Sequence, residues 1–400
     1  MGSTVVLVLA CALSADLRVD ASVGTQGTTR RTEPVGQPAV VETDVAFLPQ
    51  LSLDARTGRL GIDAGYQPRL TLTDIGPHVQ REVMHDARLT ASLAPSSVWS
   101  LAATATGGIG RTDLITENLR PNLPAGSIPD TIATRQEIDV ERAGLSLALR
   151  SAPSKRSGLD LDAGASVGGG ANQASRSYLP FERTATAGAG YRYAVTPQDR
   201  IGLNLSGELS RFDQGAAVGP QSTAGFAVAV AGWRHQATPA VEVHGGAGAM
   251  WLYANQPGET GSAEPRSRFR PAGELGLDVQ SLTKTTNGQA VARLWADIDR
   301  VTGEVTQQLQ GSATLGWAIR PSLALSGRAG AALGWQTSGG QSRRGEVELR
   351  GNWAATRVIG TELGAYAAWQ RAPSAPSFLE TGAFVRLTLV MAPLTWRASE

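Results

Sequence analysis

The 400-residue chain has one cysteine, two lysines (Lys155 and Lys284) and four histidines. Cys11 lies inside the first apolar run, so the remainder of the chain has no thiol. That excludes a disulfide framework and any cysteine-based zinc or redox centre. His78, His85, His235 and His244 show no ligand spacing of the H-x-x-x-H kind. Charge is scarce at 18%, against about 25% in an average soluble domain. The 36 basic residues nearly cancel the 35 acidic ones, for a net charge of +1. A nucleic-acid binder needs a basic excess, so no nucleic-acid partner is expected. Disorder needs low hydrophobicity and high net charge, and is equally disfavoured. No stretch reaches the ~18 apolar residues of a transmembrane helix; if the chain enters a membrane, it does so as strands. Glycine is the surplus, with 47 residues, about 12% against a usual ~7%.

Val5–Leu13 is a short apolar run followed by small Ser14 and Ala15. This is the pattern of a signal-peptide core and its cleavage zone, although Met1–Thr4 lacks Lys and Arg. The other reading is a buried or edge β segment. The expected division is a signal peptide over 1–15 and one barrel domain over 16–400.

The dominant signal is alternation of period two. In 59–74, Leu60, Ile62, Ala64, Tyr66, Leu70 and Leu72 share one face, while Asp63, Gln67, Arg69, Thr71 and Thr73 share the other. In 158–169, Leu159, Leu161, Ala163, Ala165 and Val167 oppose Asp160, Asp162 and Ser166. Helical spacing is sustained nowhere, and the chain reads as all-β. Eighteen such segments are expected, at about 17–28, 43–56, 59–74, 84–96, 99–112, 137–151, 158–172, 183–196, 199–212, 222–235, 240–254, 268–281, 289–300, 305–320, 323–337, 345–357, 359–370 and 379–391. Sixteen strands is the alternative. Connections tend to alternate between long polar stretches (29–42, 75–83, 113–136, 173–182, 213–221, 255–267, 338–344) and tight turns such as Thr57-Gly58 and Thr238-Pro239, with two short exceptions on the long side, 301–304 and 371–378. Long loops at one end, tight turns at the other and an even strand count fit a single antiparallel transmembrane β-barrel.

Aromatic positions give an independent test. Trp99, Tyr191, Tyr193, Trp317 and Trp353 fall near the turn ends of their segments. Trp251, Tyr253, Trp335 and Trp369 fall near the loop ends. Nearly all share the parity of the apolar face, as two membrane-interface girdles would. A soluble propeller or sandwich would use the same alternation. A ring of eighteen strands, however, is too wide for side chains to fill, so lipid outside and water inside is the stable arrangement.

The chain resembles, over its whole mature length, the outer-membrane β-barrel proteins of Gram-negative bacteria. Tyr191-Arg192-Tyr193-Ala194-Val195-Thr196-Pro197-Gln198-Asp199-Arg200-Ile201 is similar to their periplasmic hairpins. Glu380-x-Gly382-x-x-Val385-x-Leu387 is similar to their C-terminal assembly signal, but lacks its aromatics and continues from Met391 to Glu400. The resemblance implies an outer-membrane location and contact with outer-membrane lipid and the barrel-assembly machinery; enzymatic barrels exist in that membrane, but no catalytic motif is legible here and no enzymatic role is expected.

Candidate function sits on the inward face, where acids and arginines mix. Three aromatics break the outward rule. Trp295 falls beside Arg293 and Asp297, Tyr366 beside Glu362, and Phe384 beside Arg386; Glu348 and Arg350 share the lumen parity. A ring flanked by carboxylates and guanidinium suits the face and hydroxyls of a sugar. The other readings are a bulge that returns the rings outward, or rings packed against a loop. His85 beside Asp86 and His244 near Glu242 are the only candidates for acid–base chemistry. No cofactor is expected and no metal site is legible. The Pro-rich segment 113–136 either folds inward or stands outside. The expected function is a conduit for polysaccharide, oligosaccharide or another polar solute. It resembles eighteen-stranded exopolysaccharide-export barrels in strand number and size, and a periplasmic export or envelope partner would accompany that role. The alternatives are a general diffusion porin and a structural barrel with an occluded lumen.

Overall fold

Alternating segments form strands because each strand shows one side to lipid and the other to water. The structure, a computed structural model, describes residues 16–34, 38–75, 78–113, 137–215, 219–257, 263–281, 283, 285–298, 305–336, 340–372 and 375–396. The expected signal peptide (1–15), nearly all of the 113–136 loop and the last four residues lie outside this set. Among the described residues the strands are β1 (Asp16–Pro34), β2 (Val40–Thr57), β3 (Leu60–Ile75), β4 (His78–Leu93), β5 (Trp99–Asp113) and β6 (Glu137–Ser151). Next come β7 (Ser157–Gly170), a short helix α1 (Gln173–Tyr178), β8 (Phe181–Ala194), β9 (Asp199–Gly215), β10 (Gly219–Thr238), β11 (Val241–Pro257) and β12 (Ala263–Gln280). The chain then runs through β13 (Thr286–Ile298), β14 (Val305–Arg320), β15 (Leu323–Gln336), β16 (Gln341–Ala354), β17 (Ile359–Ala372), β18 (Ala375–Val390) and β19 (Leu394–Trp396).

Every strand from β1 to β18 pairs antiparallel with its sequence neighbours, and β1 also pairs with β18 to close the ring. The ring has eighteen strands, not sixteen; β19 adds three residues against Leu17–Val19 of β1. Closure leaves no edge to satisfy in a bilayer. The turn end is tight: Thr196 Oγ1 accepts the N–H of Asp199 at 2.8 Å, and Gly58 turns the chain at φ 51.

Several strands run into stretches expected as loops. β1 reaches Pro34, β11 reaches Pro257 and β12 begins at Ala263. Beyond the bilayer both faces meet water, so alternation disappears while the hydrogen-bond ladder continues. The stretch expected as loop 173–182 holds α1, capped by the Asn172 side chain accepting the Ser175 N–H at 2.8 Å. Outside, the lipid-facing wall over β11–β17 has a hollow of about 740 Å³, lined by small residues such as Ala290, Gly311, Ala313, Ala331 and Ala367. Part of the glycine surplus sits there.

Two elements turn inward at the loop end. Leu179, just after α1, packs on Met84, Ile138 and Val140, whose register places them on the lumen face. The second is the end of the β13–β14 hairpin. β12 pairs with β13 only over Gly273–Gln280, and its Ala263–Ala272 half pairs with β11 alone. Ala296, Ile298 and Val305 have lipid-facing parity, yet they are buried with Val228, Val230, Met250, Leu252 and Ala272 from the lumen face of β10–β12. The hairpin end has left the wall and lies against the inside of the barrel.

This overturns the expectation that the apolar face is everywhere the lipid face. The signal was present in Gly225–Gly232 (GFAVAVAG), where both alternate sets are apolar. A strand apolar on both faces is buried on both.

Candidate functional site

Register places all nine expected lumen residues on the inner face: Arg293, Trp295 and Asp297 on β13, Glu348 and Arg350 on β16, Glu362 and Tyr366 on β17, Phe384 and Arg386 on β18. They form two groups on different arcs of the ring. In the first, Arg293 donates to Glu274 of β12, with Nη2 2.6 Å from Oε2, and its guanidinium lies 5.6 Å from the Trp295 ring centroid. Gln308 donates to Asp297 at 3.2 Å. Trp295 itself packs against the inner apolar cluster. In the second, Arg350 bridges Glu348 (2.6 Å) and Glu362 (3.2 Å) and sits 5.7 Å from the Phe384 ring.

No bulge returns these rings to lipid. Tyr366 lies opposite Gly382 and Phe384 opposite Gly364, and a Cβ on either glycine would collide with the facing ring. Both rings are therefore laid flat on the wall over glycines, as aromatic side chains cover glycine in sheets. Both side chains are half-buried. Tyr366 is fixed by its hydroxyl donating to Glu380 Oε1 at 2.9 Å.

The rest of the inner wall is laced by cross-strand ion pairs. Arg142 pairs with Asp86 at 2.6 Å and Arg328 with Glu346 at 2.9 Å. Arg30 links Glu42 at 3.0 Å and Asp44. Such pairs hold inward charges without a strong net field. One arc differs: Arg266, Arg268 and Arg270 project from the lumen face of the half of β12 that β13 abandons. They are exposed and have no carboxylate partner among the described residues. Arg266 fell in the expected loop 255–267, while Arg268 and Arg270 stood at the start of the expected strand 268–281 and were not singled out.

The girdle residues Trp99, Tyr191, Trp251, Trp317, Trp335, Trp353 and Trp369 are exposed on the outer face, and Tyr193 and Tyr253 share it, the latter stacked on Trp251 at 5.7 Å. Trp233 belongs with the turn-end set and was not anticipated; its Nε1 donates to Asp199 at 3.2 Å. The two acid–base candidates separate. His85 faces outward, with Nδ1 2.7 Å from the Tyr66 hydroxyl, while Asp86 faces inward to Arg142. His244 and Glu242 do share the lumen face of β11.

Among solved structures the chain is similar to the FrpB iron transporter from Neisseria meningitidis, with TM-score 0.53 and 9% identity. That match covers 88% of this chain but only 62% of the transporter. It is also similar to OccK9 (OpdG) from Pseudomonas aeruginosa, with TM-score 0.50, 13% identity and coverage of 93% and 98%. A third is the ferric-catecholate import receptor Fiu from E. coli, with TM-score 0.51, 8% identity and coverage of 92% and 81%. At such identities these likenesses speak for the outer-membrane-type barrel fold alone. Among curated proteins no sequence matches. A sequence model of one family does match, over residues 6–141 and 152–389, and by that near-complete span the chain belongs to the EpsX exopolysaccharide export family.

Proposed function

We propose that this barrel is a water-filled, non-enzymatic conduit for polysaccharide or oligosaccharide in the outer membrane of a Gram-negative bacterium. The observation that carries the reading is the pair of rings laid flat on the lumen wall, Tyr366 and Phe384, bordered by Arg350, Glu362 and Glu380. A flat ring offers its face to a pyranose, and the flanking charges take hydroxyls. Family membership supports the same cargo class. Outer-membrane lipid is the medium that the exposed girdle fits, and the barrel-assembly machinery would insert it. A periplasmic or envelope export partner would deliver cargo at the turn end.

The test is conductance in planar bilayers with oligosaccharide added. Phe384→Ala, Tyr366→Ala or Trp295→Ala should each weaken block by about fivefold, the equivalent of about 1 kcal/mol per ring. A trace that stays closed in salt and sugar would rule out the conduit. Unchanged block in all three variants would remove the rings from the glycan path and leave the diffusion-porin reading, which the balanced ion pairs favour.

A further inference from the structure

His244 stands on the lumen wall near the turn end of β11, yet its side chain is only 7% exposed. Its ring lies over Gly276, directly across the β11–β12 ladder, where any Cβ would collide with it. The two ring nitrogens meet different carboxylates. Nδ1 is 3.3 Å from Asp278 Oδ2. Glu242 stands directly opposite Asp278 in register. One ligand atom from each of Glu242, His244 and Asp278 lies within 4.8 Å of the other two. Nδ1 is buried and makes no hydrogen bond. On the other side Nε2 is 3.5 Å from Glu274 Oε1, and Arg293 grips the second oxygen of that carboxylate at 2.6 Å.

We propose that Glu242, His244 and Asp278 bind a zinc-class divalent cation on the lumen wall. Two carboxylates facing each other across a ladder repel, and a buried ring nitrogen without a hydrogen bond is unfavourable. A cation resolves both by taking the Nδ1 lone pair and one oxygen from each acid. The 3.3 Å between Nδ1 and Oδ2 matches the edge of a tetrahedron around an ion bonded at about 2.0 Å. Glu274 supplies the outer carboxylate that holds the Nε2 proton and leaves Nδ1 free to ligate. Arg234, 3.3 Å from Glu242, and Arg293 fix the acids from outside. Three protein ligands of mixed nitrogen and oxygen leave one position open toward the lumen. The ion would staple β11 to β12 at the level where β12 is still paired on both sides.

The test uses the full-length, tag-free barrel in detergent, stripped by chelator and titrated with ZnCl2 by calorimetry, with CoCl2 as an optical probe. The expected result is one saturable equivalent, with the visible absorption of four-coordinate Co2+. His244→Ala and Asp278→Asn should abolish it. Glu274→Gln should weaken it by about 10–100-fold, the usual effect of losing an outer-shell carboxylate. Heat-modifiable migration on gels checks that each variant is folded. No saturable binding in the wild type, or equal binding in His244→Ala, would overturn the proposal and leave His244 as a structural side chain between carboxylates.

Discussion

Replacing Ile298 by aspartate should open the loop-side mouth of the barrel. Ile298 is 5% exposed and Val305 is fully buried, and these two side chains anchor the β13–β14 end to the lumen face of β10–β12. Full burial of such a side chain contributes about 1.5–3 kcal/mol, so together they hold the hairpin end by roughly 3–6 kcal/mol before ordering costs. An aspartate forfeits one of these contributions. It also desolvates a carboxylate among the buried side chains Val228, Met250 and Leu252. A combined change of about 4 kcal/mol is close to a thousandfold in the equilibrium between folded-in and released states. The closing ladder between β1 and β18 is untouched, so the barrel should still assemble and show heat-modifiable migration. Single-channel recording should give a larger unitary conductance for Ile298→Asp. Ile298→Val, costing only about 0.5–1.5 kcal/mol, should match the wild type. Identical conductance in the aspartate variant and the wild type would refute the inward packing as a constriction.

Arg30→Ala removes the cation shared by Glu42 and Asp44, whose side chains are only 5% and 11% exposed. Breaking these buried pairs should cost about 3–5 kcal/mol and lower the midpoint of heat-modifiable migration; adding Glu42→Gln and Asp44→Asn should recover most of the loss. Replacing Arg266, Arg268 and Arg270 together by glutamine should shift reversal potentials toward cation selectivity and reduce block by an acidic oligosaccharide more than block by a neutral one; an unchanged reversal potential would show that the three groups lie off the ion path. Gly364→Ala forces Phe384 off the wall and should alter oligosaccharide block severalfold. Gly311→Ala, with open space around it, should not.

The ring and its facing were legible because lipid and water impose opposite demands on alternate residues. Leu60 to Thr73 could have no other orientation, and the same parity placed Trp295, Tyr366 and Phe384 inside. Strand ends were not legible, since a ladder such as Asn255–Pro257 against Ala263–Pro265 continues where no bilayer enforces a pattern. The inner apolar cluster was visible in Gly225–Gly232, but its partner was not: nothing local to Ile298 says that it leaves its own wall. The group around His244 shows the limit most clearly. Glu242-x-His244 is a common pair on one strand, and only the register of β12 brings Asp278 opposite it.

Viewed as a ring under load, the barrel has its weakest link away from the point where the chain closes on itself. β1 and β18 share thirteen residue pairs, whereas β12 and β13 share eight, from Gly273–Leu294 to Gln280–Asn287. Lateral pressure would therefore unzip the wall from the loop end between β12 and β13 before it parted the termini. The covalent hinge at that seam is the short turn between Gln280 and Thr286, so opening would be a hinged widening of one ring rather than its rupture.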